Sequence, residues 1–112
     1  MNKKQIGDIG EDEAVKFLET QKGYIILKRN YRFKRAEIDI IAQKENVIHF
    51  IEVKKRKNAF YGYPEEFVGE KKMEMLRVGA EGYILERDWQ GDLQFDIVAI
   101  TGRKIELLED VS

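Results

Sequence analysis

Apolar residues along this chain keep a helical period in two stretches and a strand-like pattern between and after them, and the switches mark out its elements. Ile6, Gly10, Ala14, Phe17 and Leu18 fall on one face at helical spacing, and Lys22-Gly23 supplies a basic last turn and a stop. A first helix is predicted there, its start left open by Gly7 and Gly10. Tyr24-Ile25-Ile26-Leu27 is a β-rich run followed by a basic stretch, and Glu37 to Ala42 begins by alternating acid with aliphatic, so two strands are predicted. After Lys44-Glu45-Asn46, the run Val47 to Lys54 predicts a third strand, close enough to the second to form a hairpin.

Past the loop from Lys55 to Tyr63 and the only proline, Pro64, a second helix is predicted from about Glu70 to Leu85, with Met73, Leu76, Ala80, Tyr83 and Ile84 inward. Gly79 and Gly82 count against it, each costing about 1 kcal/mol relative to Ala inside a helix. Phe95 to Ile100 reads as a largely buried strand, and Gly102-Arg103 suits a two-residue turn into Ile105 to Leu108. The order is therefore α-β-β-β-α-β-β. A strand, a helix and another strand in the middle imply a right-handed crossover, hence a single-domain α/β fold with a mixed sheet of about five strands flanked by helices.

The hairpin carries the candidate chemistry. A two-residue turn at Glu45-Asn46 sets Asp39 opposite Glu52, Glu37 opposite Lys54 and Ile41 opposite Phe50, while Ile38, Ile40, Ala42, Ile51 and Val53 point to the other side. A three-residue loop with a bulge would slip that register by one. Opposed like charges on a sheet need compensation, which a divalent ion, a proton or neighbouring lysines can provide. Mg²⁺-type ions need only one or two carboxylates and keep positions open for water and a phosphate oxygen. Lys54, two residues after Glu52, shares its face, where an ammonium can stabilise charge developing at phosphorus.

Composition narrows the options. At 112 residues the chain is one domain's worth, and with no cysteine and a single histidine, His49, any metal must be held mostly by oxygen. The N-terminus lacks an apolar signal core and no stretch approaches the roughly 18 apolar residues of a membrane helix, so a cytoplasmic protein without membrane contact is expected. A net charge of −1 argues against an all-round positive coat. It conceals clusters: Lys28, Arg29, Arg32, Lys34 and Arg35 run with no acid between them, and Lys54, Lys55, Arg56 and Lys57 run together. Arg29, Arg32, Lys34, Arg35, Lys55, Arg56 and, at the start of the second helix, Lys72 are therefore candidate nucleic-acid contacts. Tyr31 and Phe33 in the basic stretch, and Phe60, Tyr61 and Tyr63 in the loop, could stack on bases.

In this order and spacing the residues resemble the YraN-like family of small bacterial proteins, which is similar to the restriction-endonuclease-like PD-(D/E)XK nuclease superfamily. Gly7, Gly10, Glu11 and Ala14 match the family's opening, Gly23-Tyr24 and Arg29-Asn30-Tyr31-Arg32 its next block, and Glu37-Ile38-Asp39 with Phe50-Ile51-Glu52-Val53-Lys54 its core. Gly62, Pro64, Lys72 and Phe95-Asp96 also fall where the pattern expects them, whereas Ala36, Ile38 and Gln94 depart from it without removing a ligand. The resemblance implies a restriction-endonuclease-like fold and a Mg²⁺- or Mn²⁺-dependent nuclease acting on DNA, with branched or single-stranded forms as candidate substrates. Asp39 and Glu52 would be metal ligands, Val53 would offer its carbonyl, Lys54 would be the catalytic lysine and Glu11 a supporting acid.

Plainer readings stand beside these. Asp8-x-x-Glu11 also resembles a helix capping box. Asp39, Glu52 and Lys54 could be a solvated strand face, and His49 a partly exposed structural histidine near the hairpin turn. The rival functions are a nucleic-acid-binding module of the same fold without turnover, and a structural or interaction domain; a homodimer is left open.

Overall fold

A computed structural model describes residues 3–56 and 69–111, with side chains described for 10–55 and 69–111. Phe60, Tyr61, Gly62, Tyr63 and Pro64, the side chains of Ile6, Gly7, Asp8 and Arg56, and the whole of Lys57 lie outside the described residues. The element order is α1 (Lys3–Gln21), β1 (Ile25–Phe33), β2 (Ala36–Lys44), β3 (Val47–Arg56), α2 (Glu70–Arg87), β4 (Asp92–Thr101) and β5 (Lys104–Leu108). This is the predicted α-β-β-β-α-β-β. The five strands lie in sequence order in one mixed sheet, antiparallel except where β3 and β4 run parallel on either side of α2.

Each strand is longer than its apolar run. The basic stretch is itself strand, carrying β1 through Phe33, and β3 continues through Lys55 and Arg56, which were expected in the loop. Ladder hydrogen bonds hold these polar residues extended where hydrophobic alternation has stopped. The predicted hairpin register is realised, with Ile41 opposite Phe50 and Ile40 opposite Ile51, and Glu45 takes the left-handed φ of 54° that its tight turn requires.

The helices cover opposite faces of the sheet. From α2, Met73, Leu76, Ala80 and Tyr83 pack on Tyr31, Ile38, Ile41, Ile48, Phe50 and Phe95. From α1, Ala14 and Leu18 pack with Tyr24, Ile40, Ala42, Ile51, Val98 and Ile100, joined by the partly buried Val53. One expectation fails here. Ile38 lies on the α2 side with Ile41, not beside Ile40, because the strand alternation breaks at Asp39. The neighbouring strand breaks at the same point: Asn30, between Tyr31 opposite Ile38 and Arg29 opposite Ile40, sits at a left-handed φ of 52°. That turn sends Tyr31 toward α2 and leaves Arg29 to reach Asp12 on α1 at 2.7 Å.

Tyr31 is accordingly a core residue and not a stacking platform, and Phe33 packs against that core partly buried. The Tyr31 ring meets Tyr83 edge-on at 5.3 Å and its hydroxyl donates to Glu86 at 3.0 Å; burial, then Glu86, pushes its pKa up to about 12. The glycines of α2 also find their reason in packing. A Cβ at Gly79 would stand 2.9 Å from Ile38 Cδ1, and one at Gly82 would stand 2.4 Å from Phe33 Cγ. Gly82→Ala is therefore expected to destabilise the protein by about 1–3 kcal/mol through overpacking, despite alanine's better helix propensity. In a Phe33→Ala background the same change should stabilise. Urea unfolding of the four proteins checks this, and a stabilising Gly82→Ala in the wild-type background would contradict the packing account.

Candidate active site

Past Ile40 opposite Ile51 the ladder between β2 and β3 stops, one pair short of Asp39 and Glu52. Glu37 therefore does not pair with Lys54 as expected. Its carboxylate lies 3.7 Å from Arg32 on β1 instead. Where the strands part, the Asp39 side chain takes over a backbone bond: its Oδ2 accepts from the Val53 N–H at 2.8 Å. This anchors the carboxylate between the two strands. Meanwhile β3 keeps its pairing with β4 along its whole length, which holds Glu52 and Lys54 in strand geometry while β2 leaves.

Glu52 is buried, on the same side of β3 as Ile48 and Phe50 and hence toward α2. Two lysines converge on one of its oxygens: Lys54 Nζ lies 3.6 Å from Oε1, and Lys72 Nζ, from the first turn of α2, lies 3.4 Å from it. The other oxygen, Oε2, is buried with no hydrogen-bond partner among the described residues. Burial raises the pKa of Asp39, opposed by the Val53 N–H and by Lys72 and Lys54, and reinforced by Glu37. Burial likewise raises that of Glu52, and the charge of Asp39 raises it further against the pull of Lys72 and Lys54. The two carboxyls thus sense each other, and neither is comfortable as an anion.

The remaining expected site residues are placed less centrally. Glu11 lies in the interior of α1, because that helix starts at Lys3, so the capping-box reading does not hold. Glu11 is buried, and with the Asn30 amide oriented nitrogen-first it receives bonds of 3.0 and 3.2 Å on its two oxygens. It thereby braces the residue that faces Asp39 across the sheet. Val53 is half-buried and meets Asp39 through its N–H. Among the described residues no set of three or more acidic or histidine side chains is grouped to hold an ion. Two carboxylates with an unsatisfied buried oxygen are nonetheless a fitting donor set for a hard divalent cation, which retains waters for its other positions.

The basic clusters are partly neutralised by folding. Arg29 pairs with Asp12, Arg32 with Glu37, and Lys55 approaches Glu13 at 3.9 Å, acids that the linear sequence places outside the basic runs. Lys34 and Arg35 stay exposed at the β1–β2 turn, with Lys34 5.4 Å from the Phe33 ring. Sequence reading missed a second polar cluster altogether. His49 is buried and not partly exposed: its Nδ1 lies 2.6 Å from Asp96 Oδ2 and its ring 4.7 Å from that of Tyr24. Asp96 also accepts from Gln94 at 2.8 Å and from the Asp110 N–H at 2.9 Å, fastening the C-terminal segment to β4. An acid inside the apolar run of β4 was the available signal.

The raised carboxyl pKa values have a consequence for stability. A group that binds protons more readily folded than unfolded favours the native state at low pH, and that contribution is lost as pH rises through its raised folded value. Glu52→Gln removes the penalty of ionising this buried oxygen pair. In the presence of a chelator the variant should melt a few degrees above wild type near pH 8, with the gap closing toward pH 4, windows set by the ordinary carboxyl range of about 4 and its upward shift. Melting curves across that range decide it, and a variant melting below wild type near pH 8 would contradict the electrostatic account.

Comparison with known proteins agrees with an ancestry shared across nearly the whole chain. Residues 10–100 match the model of a family described as uncharacterised protein family UPF0102. The chain is 49% identical over 109 residues to a UPF0102 protein of Cytophaga hutchinsonii, covering 96% of each. It is 42% identical to one of Flavobacterium psychrophilum, covering 94% of this chain and 91% of that one, and 45% identical to one of a Sulfurihydrogenibium species, covering 98% and 96%. The chain, with its carboxylate pair at the parting of β2 and β3, belongs to the UPF0102 family.

Proposed function

We propose that this protein is a divalent-metal-dependent phosphodiesterase of the PD-(D/E)XK type, acting on nucleic acid and on DNA in the first instance. One observation carries the reading: Glu52 is buried with its Oε2 unpartnered among the described residues, the half-buried Asp39 acts on it electrostatically, and Lys54 stands on the same face. A merely structural strand face has no reason to bury Glu52 beside a second acid, since burying a charge is costly unless something pairs with it. Asp39 and Glu52 would hold Mg²⁺ or Mn²⁺. When bound, such an ion supplies neutralising charge for a phosphate oxygen and lowers the pKa of a water.

The protein's own groups then have separable tasks. The Val53 N–H fixes the Asp39 carboxylate in one orientation, and the β3–β4 ladder fixes Glu52. Lys54, 3.6 Å from Glu52 with a partly exposed head, can reach a non-bridging phosphate oxygen and stabilise the charge that builds there in the transition state. Glu11 acts at one remove, through Asn30. Lys34 and Arg35, exposed at the β1–β2 turn, would bind the phosphate backbone. The rival is a binding module in which the two lysines simply neutralise the two acids.

Lys54→Ala is expected to lower cleavage of single-stranded, duplex or branched DNA in Mn²⁺ by about 100-fold or more, the scale of losing one electrostatic catalytic group, with little change in melting temperature. Asp39→Asn should weaken Mn²⁺ binding in calorimetry. If wild type cuts a substrate and Lys54→Ala cuts it equally fast, Lys54 has no catalytic role; if wild type binds DNA and never cuts it, the binding module replaces the enzyme.

A further inference from the structure

Lys72 makes the shorter of the two lysine contacts to Glu52 Oε1, 3.4 Å against 3.6 Å for Lys54, although it comes from a different element. With Glu37 paired to Arg32, the two ammonium groups and the two carboxylates of Asp39 and Glu52 balance to zero at the parting of the strands. A divalent ion carries the same charge in one atom. It therefore cannot join this arrangement without a surplus of positive charge, and the surplus is relieved most easily by the cation that is freest to leave. Lys72 is that cation: its side chain is 41% exposed against 30% for Lys54, and it stands on the first turn of α2, a long flexible stem at a helix edge.

The destination of a released Lys72 is also set by its place. It projects from the N-terminal turn of α2, where the helix dipole favours anions, and Lys71 beside it is exposed. A polyanion approaching the carboxylate pair would meet an ammonium just freed from Glu52.

We propose that Lys72 is a displaceable counter-ion: it neutralises Glu52 in the metal-free protein, gives way when a divalent ion binds, and then pairs with a phosphate of the nucleic acid. This rests on the metal-binding reading above and adds to it a coupling between the two ligands. By linkage, each ligand strengthens the other's binding through the one side chain.

The experiment compares wild type, Lys72→Met and Lys71→Met as full chains, with thermal melting to confirm folding and Lys72→Gln as a second variant. Calorimetry with Mn²⁺ alone should find Lys72→Met binding about threefold to tenfold tighter than wild type, because a like charge has been removed from beside the ion. Anisotropy of a labelled branched DNA across a salt series should then show a log–log slope shallower by about one for Lys72→Met in Ca²⁺, and unchanged in chelator, where Lys72 is engaged by Glu52. Lys71→Met should leave Mn²⁺ affinity unchanged. Equal or weaker Mn²⁺ binding by Lys72→Met, or the same slope loss with and without Ca²⁺, overturns the counter-ion role while the metal site stands. Wild type that binds no Mn²⁺ overturns both, and is told apart by the silence of the parent protein.

Discussion

The hydrogen bond from the Val53 N–H to Asp39 Oδ2, at 2.8 Å, is the interaction on which the site depends. An antiparallel hairpin that continued past Ile40 and Ile51 would satisfy that N–H with a carbonyl and press Asp39 directly against Glu52 in a closed ladder. A carboxylate accepting the bond allows β2 to leave β3 without orphaning a buried donor. Where the strands part stand two acids, one with an oxygen that has no partner among the described residues, and Lys72 from the start of α2 reaches the other oxygen of Glu52. Backbone economy and candidate chemistry are here the same event.

The rest of the fold serves to keep that opening rigid. β3 is paired with β4 through ten consecutive residue pairs, and apolar side chains pack it from both faces. Asn30, at a left-handed φ of 52°, turns β1 opposite the same point, and Glu11 braces it from α1. At the hairpin-turn end of β3, His49 and Asp96 lock strands β3 and β4 together. The site is thus rooted in strand backbone, which holds side chains more accurately than loops do.

How much of this could be read from sequence follows from the range of the forces involved. The hairpin register was legible because a two-residue turn and a period of two leave one solution, and Ile41 does stand opposite Phe50. The inward face of α2 was legible for the same reason of periodicity. The side to which Ile38 points was not, since the alternation of β2 breaks at Asp39, level with a left-handed Asn30 in a different strand. The ion pairs of Arg29, Arg32 and Lys55 were hidden because their acids come from other elements or lie beyond the basic runs. From sequence Lys72 reads only as a phosphate contact, because nothing local shows that the start of α2 arrives at Glu52. The glycines of α2 misled in the opposite way: propensity counted them against the helix, whereas close contact with Ile38 and Phe33 demands them.

The central claim is that Asp39 and Glu52 form one divalent-cation site. The most direct measurement is anomalous X-ray scattering from a crystal soaked in Mn²⁺. The account predicts an anomalous peak bonded to Glu52 Oε2 and to Asp39, at roughly 2.0–2.3 Å from each as oxygen ligands require, with waters completing the sphere. A peak located elsewhere, or none between these carboxylates at a Mn²⁺ concentration that leaves the crystal intact, would contradict it.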